Sequence, residues 1–226
     1  MSARGQDPIT MLEVVDPATT ERPPGAGPDH PMRRVTRQVA LEPGAWDAER
    51  RHKVRDLFDS LAPGWNARDG MDRHEALGDA LDRGLAASGL EDLRARRAVE
   101  VGSGTGLITP DLARRFGGVV ALDLSFEMLD RAPAAVAPRL QADSSQLPLR
   151  DASVEVLVLA NMLLFPHEVD RVLAPDGALV WVSSLGDRTP IYLSVHDVLA
   201  ALPGSWSATA SAAGWGTWCV VRRDRR

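Results

Sequence analysis

Ala98-Val-Glu-Val-Gly102-Ser-Gly104-Thr-Gly106-Leu-Ile108 is an apolar run that ends in an acid and then sets glycine at three alternate positions. It predicts a buried strand turning sharply into a helix, because glycine takes up unusual dihedrals cheaply and lets a ligand approach where a Cβ would collide. A dinucleotide fingerprint needs glycine or alanine at position 107, where this chain has Leu107. NAD is therefore disfavoured.

Glu100, two residues ahead of the first glycine, agrees. A carboxylate at a strand end sits poorly beside a pyrophosphate and suits a cationic ligand. S-adenosylmethionine (SAM) carries an ammonium, a sulfonium and no phosphate, and free helix N–H groups can meet its carboxylate. Gly118-Val-Val-Ala-Leu-Asp123 then reads as a second strand ending in an acid, about 20 residues past the first glycine, where a ribose-binding carboxylate is expected. Ser125 is a suitable N-cap for the helix that follows, with Met128 in its first turns. A short strand, Arg139-Leu-Gln-Ala142, ends at Asp143-Ser144, and Val154-Glu-Val-Leu-Val-Leu-Ala160 is the near-continuous apolar strand of a buried parallel sheet.

Four stretches in this order resemble the class I SAM-dependent methyltransferases, in particular the ubiquinone/menaquinone C-methyltransferase-like branch. They are Glu100-Val-Gly-Ser-Gly-Thr-Gly106, Asp123-Leu-Ser-Phe-Glu-Met-Leu129, Asp143 through Asp151 with its Leu147-Pro148 step, and Arg171-Val-Leu-Ala-Pro-Asp-Gly177. The resemblance spans Ala98 to Ser184. It implies an α/β fold: a Rossmann-like, seven-stranded, mostly parallel sheet with helices on both faces and an antiparallel C-terminal hairpin. It implies SAM as cofactor, with Glu100 and Gly102 near the methionine moiety, Asp123 on the ribose, Met128 against the adenine face, and Asp143 with Ser144 on the adenine edge. Ser103, Gly104, Gly106, Leu124 and Ala160 complete the implied cofactor set. Read singly, Asp123 and Asp143 are also what helix caps and turn acids look like, and Met128 is also a core residue.

The 226 residues can bury a sizeable core and suggest one catalytic domain with an appendage: residues 1–45 as an N-terminal extension, flap or disordered, and 46–226 as the methyltransferase domain with cap helices over 46–90. The net charge of −5 argues against nucleic acid or an anionic membrane as partner. Arginine supplies almost all the basic charge, Lys53 being the only lysine, and Cys219 is the only cysteine, so no internal disulfide or cysteine-based zinc site is expected. Met1–Pro8 lacks the apolar core of a signal peptide, and a cytoplasmic protein is expected, monomer or homodimer.

Asp16–Pro31 is dense in proline and glycine and predicts a loop or linker. Ile9–Val15 and Met32–Leu41 flank it with partial alternation, which suits a two-stranded flap or a disordered extension. Helical spacing runs from Trp46 to Leu61 and from Met71 to Leu85. Phe58-Asp-Ser-Leu-Ala-Pro-Gly-Trp-Asn66 is similar to a pattern of the resembled family in which such helices cap the cofactor, with Asn66 in place of the usual acid. Trp65 either closes over the cofactor or packs beside the helix.

Past the fourth strand, a short link leads to Pro166, which suits a first helical turn, with Glu168 and Asp170 at the positive end of the helix dipole rather than in a metal site; no metal is expected. Ser194-Val-His-Asp197 reads as a capping box, and Trp206–Ser211 with Thr217–Arg222 as the closing hairpin. Methyl transfer from a sulfonium asks the protein mainly to align the nucleophile and, for a hydroxyl or acidic carbon, to take its proton. Ligands gather beyond the carboxyl ends of the strands, which selects Asn161, His167, Asp187, Arg188 and Tyr192 as residues facing a small-molecule acceptor, with His167 and Tyr192 as the candidate catalytic pair. The run Leu159–Phe165 either lines an apolar pocket for an apolar or aromatic metabolite or packs beneath the cap. The competing reading is a non-catalytic SAM-binding or interaction protein of the same fold.

Overall fold

The structure, a computed structural model, describes residues 7–68 and 70–224. Met1 to Gln6, at the head of the expected extension, lie outside the described residues. In chain order the elements are β1 (Ile9–Met11), α1 (Pro31–Leu41), α2 (Ala48–Leu61), a 3-10 turn (Ala62–Arg68), α3 (Met71–Asp79), a π-turn (Ala80–Gly84) and α4 (Leu85–Ala87). There follow β2 (Arg97–Val101), α5 (Thr109–Arg115), β3 (Gly118–Asp123), α6 (Phe126–Arg131), β4 (Arg139–Gln141), β5 (Val154–Ala160), α7 (Pro166–Val172), β6 (Leu173–Ser183), α8 (Val195–Ala201), β7 (Trp206–Ala213) and β8 (Gly216–Arg223).

Among the described residues, eight strands form one sheet in the order β1-β7-β8-β6-β5-β2-β3-β4. Only β8 runs against its neighbours, so the sheet is parallel except for the C-terminal hairpin. The central strands are apolar on both faces because both faces are covered. On one face Leu157, Leu159, Leu179 and Trp181 pack with Val169, Val172, Val198 and Leu202 of the α7 and α8 region. On the other, Val156, Val158, Val180 and Val182 pack with Leu77, Leu81, Leu85 and Leu112 of the α3 to α5 helices. The approach is close where the π-turn crosses β8, since a Cβ on Gly84 would stand 2.7 Å from Cζ3 of Trp218. Trp218 Nε1 donates to Asp79 Oδ2 at 2.8 Å, fixing the helix on the strand.

Seven of these strands, β2 to β8, answer to the seven that the resemblance implies, with β6 beginning at Leu173 within the Arg171–Gly177 stretch. The eighth is β1, which lies parallel beside β7, pairing Ile9 with Ala208 and Met11 with Ala210. The second half of the expected flap is α1, a helix, so Ile9–Val15 and Met32–Leu41 do not pair with each other. The helix wins over partial alternation because Pro31 pre-sets its first turn, His30 Nδ1 accepts the Met32 N–H at 3.2 Å, and Thr36, Val39 and Ala40 bury one face. Between β1 and α1 the chain crosses the carboxyl ends of the sheet: Val15 bridges Ala213, Arg22 pairs with Asp187 at 3.8 Å, and the Ala26 N–H donates to the Arg188 carbonyl at 2.8 Å.

The Arg171 side chain explains its own motif structurally. It donates to Glu168, Asp151 and the carbonyls of Leu147 and Leu149, clamping the 147–151 loop. The capping box at Ser194 and Asp197 is present. Among the described residues, no helix is long and apolar enough to cross a membrane.

Candidate active site

The glycine run turns at the carboxyl end of β2. Gly102, Gly104 and Gly106 have φ of 73°, 57° and 76°, and a Cβ on Gly102 would collide with Sδ of Met162. The left-handed conformation demands glycine at Gly102, and a side chain there would also displace Met162. The N–H groups of Gly102 and Ser103 donate to the Leu122 carbonyl at 2.8 and 3.0 Å, which folds the loop back towards the end of β3.

Glu100 is 1% exposed. Its Oε2 accepts from Thr109 Oγ1 at 2.7 Å, while its Oε1 is buried with no hydrogen-bond partner among the described residues. Burial pushes this carboxyl up to about 8, against the Thr109 hydrogen bond and with help from the charges of Asp123 and Asp111. A buried oxygen left without a donor is costly, so this is a place where a cationic group would be favourable. The Ser103 hydroxyl is likewise buried and unpartnered among the described residues.

Asp123 closes the other side of the loop. Its Oδ2 accepts the Gly104 N–H and its Oδ1 the Ser125 N–H, each at 2.8 Å. Burial raises its pKa and the N–H groups of Ser125, Gly104 and Leu124 oppose the rise. Met128 is buried, and its sulfur lies 3.9 Å from the Cβ position of Gly104; Nε1 of Trp65 lies 3.5 Å from the same point. Trp65 thus stands over the glycine loop, held edge-on by Phe58 with ring centroids 5.7 Å apart. Ala160 ends β5 beside β2, and Leu124 offers its carbonyl to Gln141 Nε2 at 3.1 Å.

The segment 46–66 reaches the same loops. Trp46 Nε1 donates to Asp143 Oδ1 at 3.0 Å, and Arg51 Nη1 stands 3.3 Å from Asp143 Oδ2. The Ser145 N–H also donates to Asp143, at 2.9 Å, and Ser144 beside it is buried. Ser125 Oγ donates to Asp59, and Thr105 Oγ1 to the amide oxygen of Asn66, both at 2.5 Å. Asn66 therefore needs no charge for this contact.

Among the residues expected to face an acceptor, Asn161 has φ of 53°, a left-handed conformation, and its amide bridges the ends of β5 and β6. Nδ2 donates to Ser184 Oγ at 3.0 Å, and the Ser184 N–H donates to Oδ1 at 2.9 Å. Leu163 and Phe165 pack with Val39 and Ile191, alongside Met32, Val35, Trp46, Phe58 and Met162. The apolar run therefore packs beneath α1 and α2, and Met162 links it to Gly102. His167 is exposed in the first turn of α7, without a polar partner among the described residues. Tyr192 is half-buried under the Arg33 guanidinium, whose carbon is 4.6 Å from the ring centroid, and burial raises its phenol pKa. Asp187 pairs with Arg22, and Arg188 meets Ala26 through its carbonyl. Asp170 is engaged by Arg223, and among the described residues no group of three His, Cys, Asp or Glu could hold a metal. Thr109, Met162, Arg33 and Trp46 were not singled out in the sequence. Their signals are partners 9, 60, 159 and 97 positions away, which periodicity does not register.

A model of the methyltransferase domain matches residues 99–181, from β2 into β6. The chain carries a methyltransferase domain. A malonyl-[acyl-carrier protein] O-methyltransferase of Halorhodospira halophila is 33% identical over 190 residues, 76% of this chain and 58% of that protein. A demethylmenaquinone methyltransferase of Mycolicibacterium vanbaalenii is 25% identical over 170 residues, 71% of this chain and 73% of that one. The chain spans 25%, 58% and 40% of three of the curated relatives it matches. Among solved structures, the DhpI–SAH complex superposes with a TM-score of 0.62 at 19% identity, over 78% of this chain and 98% of that one. The methyltransferase domain therefore has the Rossmann-like fold of SAM-dependent methyltransferases.

Proposed function

We propose that this chain binds SAM and transfers its methyl group to a small apolar or aromatic metabolite. The observation that carries the reading is the buried, unpartnered Oε1 of Glu100 beside three left-handed glycines, with the Asp123 carboxylate across the same loop. A cation fits beside Glu100, and a ribose diol can use the lone pairs that Asp123 keeps beyond its bonds to Gly104 and Ser125. Adenine then lies between Met128, Leu124 and the Asp143-Ser144 edge, with Ser103, Gly106 and Ala160 lining the methionine side. Bound SAM supplies an electrophilic methyl with its leaving group already attached. Residues 46–226 act as the catalytic unit, with 46–90 as its cap and 1–45 as an acceptor-side cover. The ubiquinone/menaquinone-like branch, a cytoplasmic location, a monomer or homodimer and the absence of nucleic acid or membrane partners belong to the same proposal.

Titration calorimetry with SAM, followed by turnover on a panel of aromatic and aliphatic acceptors, tests it. Binding without turnover on any acceptor would favour the non-catalytic alternative. NAD should give no heat of binding, because Glu100 and Leu107 stand where a pyrophosphate loop needs small, neutral residues. Micromolar NAD binding without competition from SAM would overturn the cofactor assignment.

Glu100 gives a second test. With its carboxyl at about 8, it is largely protonated at neutral pH, and an adjacent cation favours the ionised form. SAM binding near neutral pH should release a proton, so the binding enthalpy should differ between phosphate and Tris buffers, and Glu100→Gln should abolish the difference. The folded value lies above the unfolded one of 4.5, so the folded state holds the extra proton. The free protein should lose stability as pH rises from about 4.5 through about 8, and Glu100→Gln should flatten that slope. Equal binding enthalpies in both buffers would remove Glu100 from the cation's side.

The two candidate catalytic residues have different surroundings. Tyr192, half-buried and raised in pKa, suits an orienting hydroxyl better than a base, whereas His167 faces solvent. Tyr192→Phe should lower the transfer rate by about tenfold with SAM affinity unchanged, through lost alignment, and His167→Ala should stay near the full rate. The reverse ranking would make His167 the base.

A further inference from the structure

Arg33 has a contact pattern that packing alone does not require. Nη1 donates to the carbonyls of Asp187 at 2.9 Å and Thr189 at 3.4 Å, and the guanidinium lies over the Tyr192 ring. Nε and Nη2 have no polar partner among the described residues. Asp187 gives Arg33 its carbonyl and turns its carboxylate to Arg22. A guanidinium held by one nitrogen and stacked on a ring keeps its Nε–Nη2 edge as a rigid pair of parallel donors, the geometry that matches the two oxygens of a carboxylate.

The surroundings agree in charge and in shape. α1 carries Arg33, Arg34 and Arg37 and no acid, a charge of +3 in a chain of net charge −5. Arg37 is paired with Asp197, and Arg34 is exposed. From the glycine loop, Met162 packs with Leu163, Val35 and Ile191, an apolar cluster that reaches Tyr192 and Arg33. One end of this cluster borders the proposed methyl-donor side and the other a cation.

We propose that the methyl acceptor is an apolar acid whose carboxylate is bound by the Nε–Nη2 edge of Arg33, with its hydrocarbon or ring laid along Met162, Val35 and Ile191. This rests on the methyl-transfer reading and names the substrate class of that site. Arg33 is then a specificity-determining residue, with the Tyr192 ring as the platform for its guanidinium.

The test uses 2-naphthoate and its neutral isostere 2-naphthamide as probes, titrated into the full chain with S-adenosylhomocysteine present. The wild type should bind the acid about tenfold or more tightly than the amide. Arg33→Gln should erase that preference and leave the amide unchanged, and Arg34→Gln, which removes the same charge from the same helix, should keep it. If Arg33→Gln does not fold, Arg33→Lys decides, because it keeps the charge but loses the fork and should forfeit most of the preference. Wild type that ignores the acid or binds both probes equally, a preference that survives in the Arg33 variant, or one lost equally in Arg34→Gln overturns the proposal. Titrating S-adenosylhomocysteine alone reports separately on the methyl-transfer reading, so its failure is distinguishable from failure of the arginine site.

Discussion

Asp123→Ala should weaken SAM binding by about ten- to a hundredfold, the loss expected when hydrogen bonds to a charged group worth ~1.5–3 kcal/mol disappear. The carboxylate already accepts the Gly104 and Ser125 N–H groups, one on each oxygen, and its remaining lone pairs are what a ribose diol would use. Alanine removes both functions at once, because the glycine loop loses the acceptor that holds Gly104 in its left-handed conformation. A fall in thermal stability should therefore accompany the fall in affinity. Asp123→Glu keeps the charge and can still reach a hydroxyl, so its affinity should lie much closer to wild type. Calorimetry on the three proteins, with melting curves taken without ligand, separates the effects. Equal SAM affinity for wild type and Asp123→Ala would remove the ribose assignment, whatever the melting curves show.

The parts legible from sequence are those where one residue type is forced by local geometry. Gly102, Gly104 and Gly106 appear as a spacing because each occupies a positive φ, and Asp123 because it ends a strand of otherwise apolar residues. The pair β7 and β8 is legible because a hairpin announces itself through a local turn, whereas an antiparallel end to the sheet came only from the resemblance. β1 was not legible, since three residues with an exposed pattern carry no sign that their partner lies about 200 positions later. α1 satisfied two periodicities at once, and tertiary burial of Thr36, Val39 and Ala40 chose the helix. The roles of Asp143 show the same limit. As a strand-end acid it suggested an adenine contact, and nothing nearby in the chain signalled that Trp46 and Arg51 would grip the same carboxylate. The cap and the proposed adenine edge therefore share one acid, a coupling that only the fold brings about.

Removing residues 1–40 should abolish most methyl transfer while leaving SAM affinity largely intact. The contacts proposed for the cofactor begin at Glu100, and the cap residues that touch those loops, Trp46, Arg51, Asp59, Trp65 and Asn66, all survive the deletion. What is lost is β1, the chain that crosses the strand ends past Asp187 and Arg188, and nearly all of α1. Leu163, Phe165 and Ile191 would then face water instead of Val39, Val35 and Met32. An apolar face of that kind is poorly tolerated in solution and would no longer exclude water from the reacting atoms. The deletion also bares the edge of β7, so a second variant is needed that keeps the strand. Val39→Asp places a charge in the centre of the α1 contact and leaves β1 paired, and it should reproduce the loss of transfer with SAM binding retained. Calorimetry for SAM and initial rates on any acceptor that turns over in the wild type would be compared across the three proteins. Full-rate transfer by the truncated chain would rule out the covering role of the N-terminal segment, and loss of SAM binding in Val39→Asp would mean that α1 supports the cofactor loops rather than the acceptor.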